Sequence, residues 1–403
     1  MSTRAARRTA IRATSLFDGS TTRPDPLVLI EDGRILAVET GRVAPPPDAE
    51  LVDLTGTTLL PGLVDTHVHL AFDASLTPVA HLAGRDDEAV LDAMAAAAAD
   101  QLAAGVTTVR DLGDRDYLAL ALRERATGPL PTVVAAGPPI TCPGGHCHYL
   151  GGVARGEAGI RAAVREHAER GVDVIKVMAS GGELTPGTVV HERQWSPAEL
   201  RAAVDEAHRR GLPVTAHAHA VDAIADALAA GVDGIEHCSF RTADGVDVRE
   251  DLVAAIVTRR VVVGATAGIV PVEGIAPPPG LARVLPQIFA AMERLRRAGA
   301  VLVAGTDAGI APVKPHGVLP HGLVELTGCG MTAVEALRAG TAVAAAVCGL
   351  GDRKGRIAAG YDADLLAVAG DPAVDVSALL RVRQVIVGGR PVRTAAADPV
   401  VAR

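Results

Sequence analysis

The sequence predicts an α/β protein whose main part is a (β/α)8 TIM barrel, joined to a small β-sandwich domain formed by both chain ends. Between about residues 59 and 350, short β-branched runs alternate with helical runs rich in Ala, Leu and Arg, as parallel strand and helix units do. Several helical runs stop at a glycine just before the next apolar run, where glycine suits the left-handed end of a helix. The two ends contain short strands with Gly, Pro and Asp turns instead.

Eight apolar runs are candidate barrel strands. They are LLPGLVDTHVHL (59–70), VTTVRDL (106–112), PTVVAAGPPI (131–140), VDVIKVM (172–178), LPVTAHAHA (212–220), VDGIEHC (232–238), VVVGATAGI (261–269) and AVLVAGTDAG (300–309). Eight strand and helix units in series favour a closed barrel over an open doubly wound sheet. Helix starts are also visible, because Ser196, Pro197 and Glu199 form a capping box with proline at the first helical position. Thr332 and Glu335 repeat the box.

The chain ends share one character and are expected to meet. Residues 1–58 would form the first part of the β-sandwich and residues 355–403 the second part, with the barrel domain between them at 59–354. PLVLIEDGRILAVE near the start and VRQVIVGGRPV near the end both have the alternation of short strands joined by turns. The barrel is therefore predicted to interrupt the sandwich in sequence.

Composition excludes several classes of function. The net charge of -8, the absence of a basic block and an aromatic content of 2% argue against a nucleic-acid partner. No run approaches the ~18 apolar residues that span a membrane, and the Arg-rich start lacks the apolar region of a signal peptide. Five cysteines without a CxxC pair do not suggest a disulfide framework. We expect a cytoplasmic protein that binds neither membranes nor nucleic acids.

Five of the predicted strands carry polar side chains, either near the end of the strand or within its apolar run. In strand order they are His67 and His69, Lys176, His217 and His219, His237, and Asp307. Barrel enzymes collect their chemistry at this end of the strands. Without a common purpose, such buried polar groups would be costly. Imidazole and carboxylate ligands suit zinc or a similar divalent ion with one position open for water.

Lys176 is the least expected of these residues. The chain has only three lysines, Lys176, Lys314 and Lys354, and this one lies in the middle of an apolar strand. Beside two divalent ions a cationic ammonium would be disfavoured, and burial also lowers the pKa of a lysine. A neutral amine can react with carbon dioxide to give a carbamate, an anion with two oxygens. We therefore predict two divalent metal ions, zinc by chemistry, bridged by N6-carboxylated Lys176.

These motifs resemble the amidohydrolase superfamily over nearly the whole chain. PGLVDTHVHL, IKVMASGG, AHAHA, GIEHC and GTDAG occur in that order. Within the superfamily the chain is similar to the prolidase-like branch, which contains Xaa-Pro and Xaa-Arg/Lys dipeptidases and ochratoxin-hydrolysing amidases, with imidazolonepropionase more distant. The intervals of 41 residues from Lys176 to His217, 20 to His237 and 70 to Asp307 are similar to those of ochratoxinase-like members.

The resemblance implies a role for each residue. The metal ligands would be His67 and His69 for the more buried ion, His217 and His237 for the more exposed ion, Lys176 as the bridge, and Asp307 for the first ion. Asp307 would also serve as general base and then general acid for a hydroxide that bridges the metals. His219 would either stabilise the oxyanion or hydrogen-bond within the site. His146 and Tyr149, in the loop after the third strand, would bind substrate.

The resemblance implies a binuclear metal-dependent hydrolase acting on a C–N amide bond. The small-molecule substrate would be a dipeptide or an N-acyl amino acid. Relatives are commonly oligomers, so a homo-oligomer is expected. The alternative is hydrolysis of a cyclic amide, as in imidazolonepropionase, or of a lactone. A mononuclear deaminase is less favoured because HAHAVDA lacks the glutamate that deaminases place after the fifth-strand histidine. A scaffold without metal is also disfavoured, since all six ligands are present.

Overall fold

The computed structural model describes residues 8–125 and 127–392. Its strands are β1 (Arg8–Phe17), β2 (Thr22–Pro24), β3 (Pro26–Glu31), β4 (Arg34–Thr40), β5 (Ala49–Pro61), β6 (Leu63–Val68), β7 (Val106–Asp111), β8 (Thr132–Ala135), β9 (Ile175–Met178), β10 (Val214–Ala220), β11 (Gly234–Arg241), β12 (Val262–Thr266), β13 (Val301–Gly305), β14 (Leu365–Ala369), β15 (Val382–Val387) and β16 (Arg390–Val392).

The α-helices lie mainly between the central strands. They are α1 (Pro78–Ala83), α2 (Asp87–Ala103), α3 (Leu118–Arg125), α4 (Gly156–Arg170), α5 (Pro197–His208), α6 (Val221–Ala230), α7 (Glu250–Arg259), α8 (Pro279–Ala298), α9 (Leu319–Gly328), α10 (Ala333–Ala339) and α11 (Ala342–Val347). Two short 3₁₀ helices cover His148–Leu150 and Val376–Leu380. The capping boxes predicted at Ser196 and Thr332 are confirmed, each with its glutamate reaching back to the cap.

All eight predicted central strands are present in chain order, as β6 to β13, and they pair in parallel. They form two hydrogen-bonded sheets, β6-β7-β8 and β9-β10-β11-β12-β13, and the ladder does not close into a single barrel sheet within the described residues. Two isolated parallel bridges connect the sheets, Val68 to Ala308 at one junction and Ile140 to Val177 at the other. The fold is therefore α/β, with its central strands grouped in two sheets.

The predicted β-sandwich is not confirmed. The strands from both chain ends lie in one eight-stranded sheet in the order β16-β15-β14-β5-β1-β3-β4, with β2 paired to β1. The ends do meet as expected, because β14 pairs antiparallel with β5, which pairs in parallel with β1. Strand β5 also runs across the predicted boundary at residue 58, so the boundaries 1–58, 59–354 and 355–403 stay a prediction.

The predicted runs differ from the observed strands at their ends, and two runs differ most. The run at 59–70 divides at Gly62, so that its first part closes β5 and its second part forms β6. The run at 131–140 keeps strand pairing only as far as Ala135. Gly137 follows with a φ of 70°, and the chain then continues through Pro138 and Pro139, which cannot donate backbone hydrogen bonds to a ladder.

The three lysines all lie inside the protein rather than on its surface. Lys354 is buried and pairs with Asp364, and Asp362 is 3.3 Å from the same Nζ. Lys314 is partly buried and its Nζ donates to three backbone carbonyls at the ends of β12 and β13. Lys176 is described with the site below. None of the three lysines is therefore exposed.

Other predictions concern solution properties of the protein. No helix in the described ranges combines the length and the apolar character needed to cross a bilayer. All five cysteines are free thiols. The expected homo-oligomer and the expected absence of a nucleic-acid partner stay predictions.

Candidate metal centre

The histidines predicted from the strand ends converge in two adjacent groups of possible ligands. His67, His69 and Asp307 form the first group, and their ligand atoms lie within 4.8 Å of one another. A second group of three histidines, His217, His219 and His237, meets the same limit. The rings of His67 and His237 are 5.2 Å apart between centroids, so the two groups adjoin.

The first group is arranged around one carboxylate oxygen. Asp307 Oδ1 lies 3.1 Å from His69 Nε2 and 3.5 Å from His67 Nε2. Lys176 Nζ lies 3.5 Å from the same His67 nitrogen. The backbone sets this geometry, because Asp307 N donates to His67 O at 2.7 Å where β13 meets β6. The lysine therefore belongs to the cluster by position, as the sequence indicated.

The second group is a close stack of imidazoles. The His219 and His237 rings are 4.3 Å apart with an interplanar angle of 19°. His217 stands nearly perpendicular to both, at 4.7 Å from His219 and 4.6 Å from His237. The His219 ring thus lies as close to the His237 ring as the His217 ring does, although the sequence intervals favour His217 as the ligand.

Each of these five histidines has one ring nitrogen held by the protein. The pairs are His67 Nδ1 with Glu236 Oε2 at 3.0 Å, His69 Nδ1 with Gly113 O at 3.0 Å, His217 Nε2 with Gly181 O at 3.0 Å, His219 Nδ1 with Ser239 Oγ at 2.8 Å, and His237 Nδ1 with Thr266 Oγ1 at 2.9 Å. The opposite ring nitrogens of His217, His219 and His237 remain to bind a ligand, while those of His67 and His69 face Asp307 Oδ1. Histidines that bind metals are typically fixed in this way, so the residues present fit a metal site.

Burial keeps most of these imidazoles neutral, which is the form that binds metal. Loss of solvation lowers the pKa of His67 to about 4 and that of His219 to about 3. The same cause lowers the pKa values of His217 and His237 well below the usual range. His69 differs, because the hydrogen bond and charge of Asp307 outweigh its burial and raise its pKa.

Asp307 stays ionised in spite of its position. Burial favours the protonated acid, but the interactions with His67 and His69 hold the pKa of Asp307 well below its usual range. The backbone at this residue is left-handed, with φ 61°, and that of His237 is left-handed too, with φ 68°. Non-glycine residues rarely adopt this conformation, and such strain clusters at functional sites.

Lys176 differs from Lys354, which contacts two carboxylates, and from Lys314, which donates to three backbone carbonyls, because within the described residues its Nζ contacts only His67. It is 1% exposed, and no carboxylate of the described residues lies within 4.0 Å of its Nζ. Burial lowers the pKa of Lys176 to about 8, although the charges of Glu236 and Asp307 oppose the shift. An amine of this kind is easily deprotonated. The site therefore contains a buried nucleophilic nitrogen in contact with His67 of the first group of ligands.

Glu236, which no sequence motif indicated, contacts the first group of ligands through a hydrogen bond with His67. Its Oε1 accepts hydrogen bonds from Arg110 Nη2 at 2.8 Å and Thr215 Oγ1 at 2.7 Å, while Oε2 receives His67 Nδ1. A Cβ at Gly264 would overlap Oε2, so glycine is required there. Burial opposes ionisation, but Arg110 and His67 hold the pKa of Glu236 far below its usual value. The available signal was a charged residue inside the apolar run VDGIEHC, as for Lys176.

Replacing Glu236 with glutamine is expected to weaken metal binding about 10- to 100-fold, because His67 loses a charged partner that orients its ring. Arg110 would also remain buried without its carboxylate, so some loss of stability is expected. Competition with a chromogenic chelator measures the affinity, and thermal melting monitors the fold. Glu250→Gln, which breaks only the exposed pair with Arg294, is the matched control. Unchanged affinity in a folded Glu236→Gln protein would contradict the orienting role.

Further residues missed from the sequence join β6 to β13. Asp65 accepts from Thr306 Oγ1 at 2.6 Å and from the backbone N of Thr306 at 3.1 Å. Lys314 donates to Thr306 O at 2.7 Å and to Thr266 O at 3.0 Å. These contacts fix the segments that present Asp307 and His237, and they join residues too distant in sequence for a local pattern to reveal them.

His146, predicted to bind substrate, lies beside the second group. It is 6% exposed, and its ring is 4.7 Å from that of His217. Its Nδ1 is buried without a hydrogen-bond partner, and burial lowers its pKa to about 4. A Cβ at Gly182 would overlap the imidazole, so this glycine makes room for the ring. The structure therefore leaves one polar atom of His146 available.

Tyr149, also predicted to bind substrate, is placed less directly. It belongs to the 3₁₀ turn of His148–Leu150 and is half-buried. Its hydroxyl donates to Cys147 Sγ at 3.7 Å, and burial raises its pKa. Its contact with substrate, like that of His146, stays a prediction.

Comparison with known proteins agrees with this geometry. Residues 58–392 match the family described as Amidohydrolase family. The chain belongs to the amidohydrolase family. The match includes both groups of ligands and Lys176, and it confirms the family that the motifs suggested.

Three relatives of this amidohydrolase are informative. An uncharacterized protein of Mycobacterium tuberculosis is 30% identical over 370 residues, covering 88% of this chain and 91% of the relative. Ochratoxinase of Aspergillus niger is 32% identical over 230 residues, covering 56% of this chain and 46% of the enzyme. The crystal structure of a Xaa-Pro dipeptidase with bound methionine in the active site superposes with a TM-score of 0.84 at 28% identity, covering 96% of this chain and 100% of that chain.

Proposed function

We propose that this amidohydrolase is a metal-dependent enzyme that hydrolyses the amide bond of a dipeptide or an N-acyl amino acid. The observation that supports this proposal most strongly is the presence of two adjacent ligand groups together with Lys176. The Lys176 side chain is buried, contacts His67 and has no carboxylate in contact within the described residues. The likeness to a structure named as a Xaa-Pro dipeptidase supports a dipeptide, and the likeness to ochratoxinase supports a hydrolase of this branch.

Two divalent ions, zinc by the chemistry of the donors, would be held by these residues. His67, His69 and Asp307 would hold one ion, and His217 and His237 the other. When bound, such ions lower the pKa of water and polarise a carbonyl group. The neutral imidazoles and the hydrogen bonds to their far nitrogens support this assignment.

Lys176 would link the two groups after carboxylation. Its neutral Nζ attacks carbon dioxide, a new N–C bond forms, and one proton leaves to solvent, giving a carbamate with one negative charge. The anion would offset part of the positive charge of the two ions, and a buried ammonium without a counter-charge would no longer be present. Its two oxygens could each face one group, because Nζ already lies 3.5 Å from His67 Nε2 in the first group.

Asp307 would move the proton during hydrolysis. Its Oδ1 faces His67 and His69, while Oδ2 makes no hydrogen bond within the described residues. Oδ2 can therefore accept a proton from the attacking water as the oxygen bonds to the carbonyl carbon. When the C–N bond breaks, the same proton passes to the leaving amine.

His219 would stabilise the carbonyl oxygen as negative charge develops there. This role needs a proton on Nε2, so Nδ1 must accept a hydrogen bond from the Ser239 hydroxyl at 2.8 Å. Burial lowers the pKa of His219 to about 3, which leaves a neutral ring with a single N–H. His146, with its unpartnered Nδ1, would contact the substrate from the opposite loop.

A screen of the zinc-loaded protein tests this proposal. The library contains dipeptides and N-acyl amino acids, with imidazolonepropionate-like compounds and lactones included, and chelator-treated protein is the control. We expect turnover among the amides and about two metal ions per chain by elemental analysis. Turnover of lactones without any amide would contradict the proposal, as would full activity in the metal-free protein. One ion per chain would favour a deaminase.

A further inference from the structure

Arg241 stands at the rim of the ligand cluster. It is the last residue of β11, the strand that also carries His237. In the ladder with β10 it pairs with Ala220, which directly follows His219. The chain then turns back, since Arg241 forms an antiparallel bridge with Val246. The fold therefore places the positive charge of Arg241 at the ends of β10 and β11, the strands that carry His219 and His237.

The guanidinium of Arg241 has no partner in the described part of the chain. Every other buried or half-buried arginine there contacts a carboxylate or a backbone carbonyl, and these are Arg8, Arg12, Arg85, Arg110, Arg115, Arg161, Arg165 and Arg296. Arg241 is half-buried, and its Nε is buried without a hydrogen bond. A charged donor withdrawn from water is destabilising unless something accepts from it.

The loop around Arg241 does not supply that acceptor. Val246 N donates to Gln287 Oε1 at 3.1 Å, and Asp247 N donates to Phe240 O at 2.9 Å, so α8 and β11 fix the loop. The carboxylates of Asp244 and Asp247 in this loop are exposed and form no ion pair with Arg241. No acceptor for the Arg241 guanidinium is present among the described residues, so the guanidinium is free to bind an anion at the site.

The charge of Arg241 also acts on the site. Burial is the main reason for the low pKa of His219, and the charges of His146 and Arg241 lower it further. The guanidinium is thus within electrostatic reach of the His219 ring. Its planar fork can bind both oxygens of a carboxylate, which is the commonest strong partner of arginine.

We propose that Arg241 binds a free carboxylate of the substrate, so that the substrates are short amides bearing a carboxylate rather than neutral amides or lactones. The inference rests on the proposed function, and it adds a selectivity residue that neither the motifs nor the resemblance named. Arg241 would position the substrate while the scissile carbonyl lies toward the histidine groups.

Matched substrate pairs test the inference. Wild type and Arg241→Gln are assayed on dipeptides and N-acyl amino acids, each beside its C-terminal carboxamide. Wild type should prefer the acids. Arg241→Gln should lower kcat/KM for the acids by about 10- to 100-fold, the effect of one charge-assisted hydrogen-bonded pair, and leave the carboxamides within about twofold. Arg241→Lys keeps the charge but not the planar guanidinium. Its kcat/KM for the acids should lie between those of wild type and Arg241→Gln.

Arg249→Gln is the matched control, because it removes the same charge from an exposed residue that pairs only with Asp251 after the same loop. It should leave the acid-to-carboxamide ratio unchanged. An equal ratio in wild type and Arg241→Gln would overturn the inference while leaving amide hydrolysis intact. Failure of wild type to cleave any acid or carboxamide would instead overturn the proposed function.

A binding measurement gives a readout that does not depend on turnover. Free L-amino acids are titrated into the zinc-loaded wild type and Arg241→Gln proteins by calorimetry, with inorganic phosphate as a second anion. Weaker amino-acid binding in the variant, by a factor similar to that in the kinetics, supports the inference. Equal binding by both proteins, no binding by wild type, or an effect confined to phosphate would overturn it.

Discussion

Replacing Lys176 with alanine is expected to remove bound metal and hydrolytic activity together. The side chain is 1% exposed and contacts His67 of the first ligand group, and the variant loses the group proposed to link the two ligand groups. Metal ions supply several kcal/mol of transition-state stabilisation, so kcat/KM should fall about a thousandfold or more. Elemental analysis of the purified variant and kinetics on the best amide substrate measure the two effects.

Chemical rescue distinguishes a bridging anion from a simple loss of packing. Propionate can occupy the space left by the lysine and supply a carboxylate, so it should restore part of both metal content and activity. Propionamide has a similar size but carries no charge, so it should restore neither. Unchanged activity in Lys176→Ala, or equal rescue by the neutral amide, would rule out the carbamate.

Replacing Asp307 with asparagine is expected to lower kcat by about 10²- to 10⁴-fold, the usual contribution of a positioned acid and base. Asparagine keeps the shape of the side chain and can still accept from His69, but it cannot carry the proton from water to the leaving amine. Single-turnover kinetics with a good amide substrate measures the loss, and metal content shows whether the second ligand group is still loaded.

Asp244→Asn is the control for this variant, because Asp244 is exposed on the loop after β11 and the change in charge is the same. It should behave as wild type. If Asp307→Asn retained its metal and hydrolysed the substrate within tenfold of wild type, another residue would have to carry the proton. The low pKa of Asp307 keeps its carboxylate ionised, which is the form that can accept a proton.

The parts of the fold set by local patterns could be predicted. Capping at Ser196 and Thr332 depends on residues three positions apart, and both boxes are present. The eight central strands follow from runs of β-branched residues bounded by helices. Parallel strands deliver their carboxyl ends to one side, which is why His67, His217 and Asp307 could be placed together although the chain separates them by many residues.

The parts of the fold that depend on tertiary packing could not be predicted from the sequence. Nothing near Glu236 in sequence shows that it will meet Arg110 and His67, because that contact depends on the order in which strands pair. The predicted sandwich is not confirmed, for a related reason. Strand β5 pairs with β1 on one edge and with β14 on the other, so the two ends extend one sheet, and alternation alone does not distinguish one sheet from two facing ones.

The direct passage from β5 into β6 has a consequence for how the chain can be divided. Only Gly62 separates the two strands, its N donates to Asp364 O at 2.9 Å, and a Cβ there would overlap Thr107. A truncation at residue 58 would sever β5 a few positions before the strand that bears His67. The terminal sheet therefore holds the start of β6, the strand that bears His67. A fragment that begins after β5 would lose this support, and β6 would be less ordered.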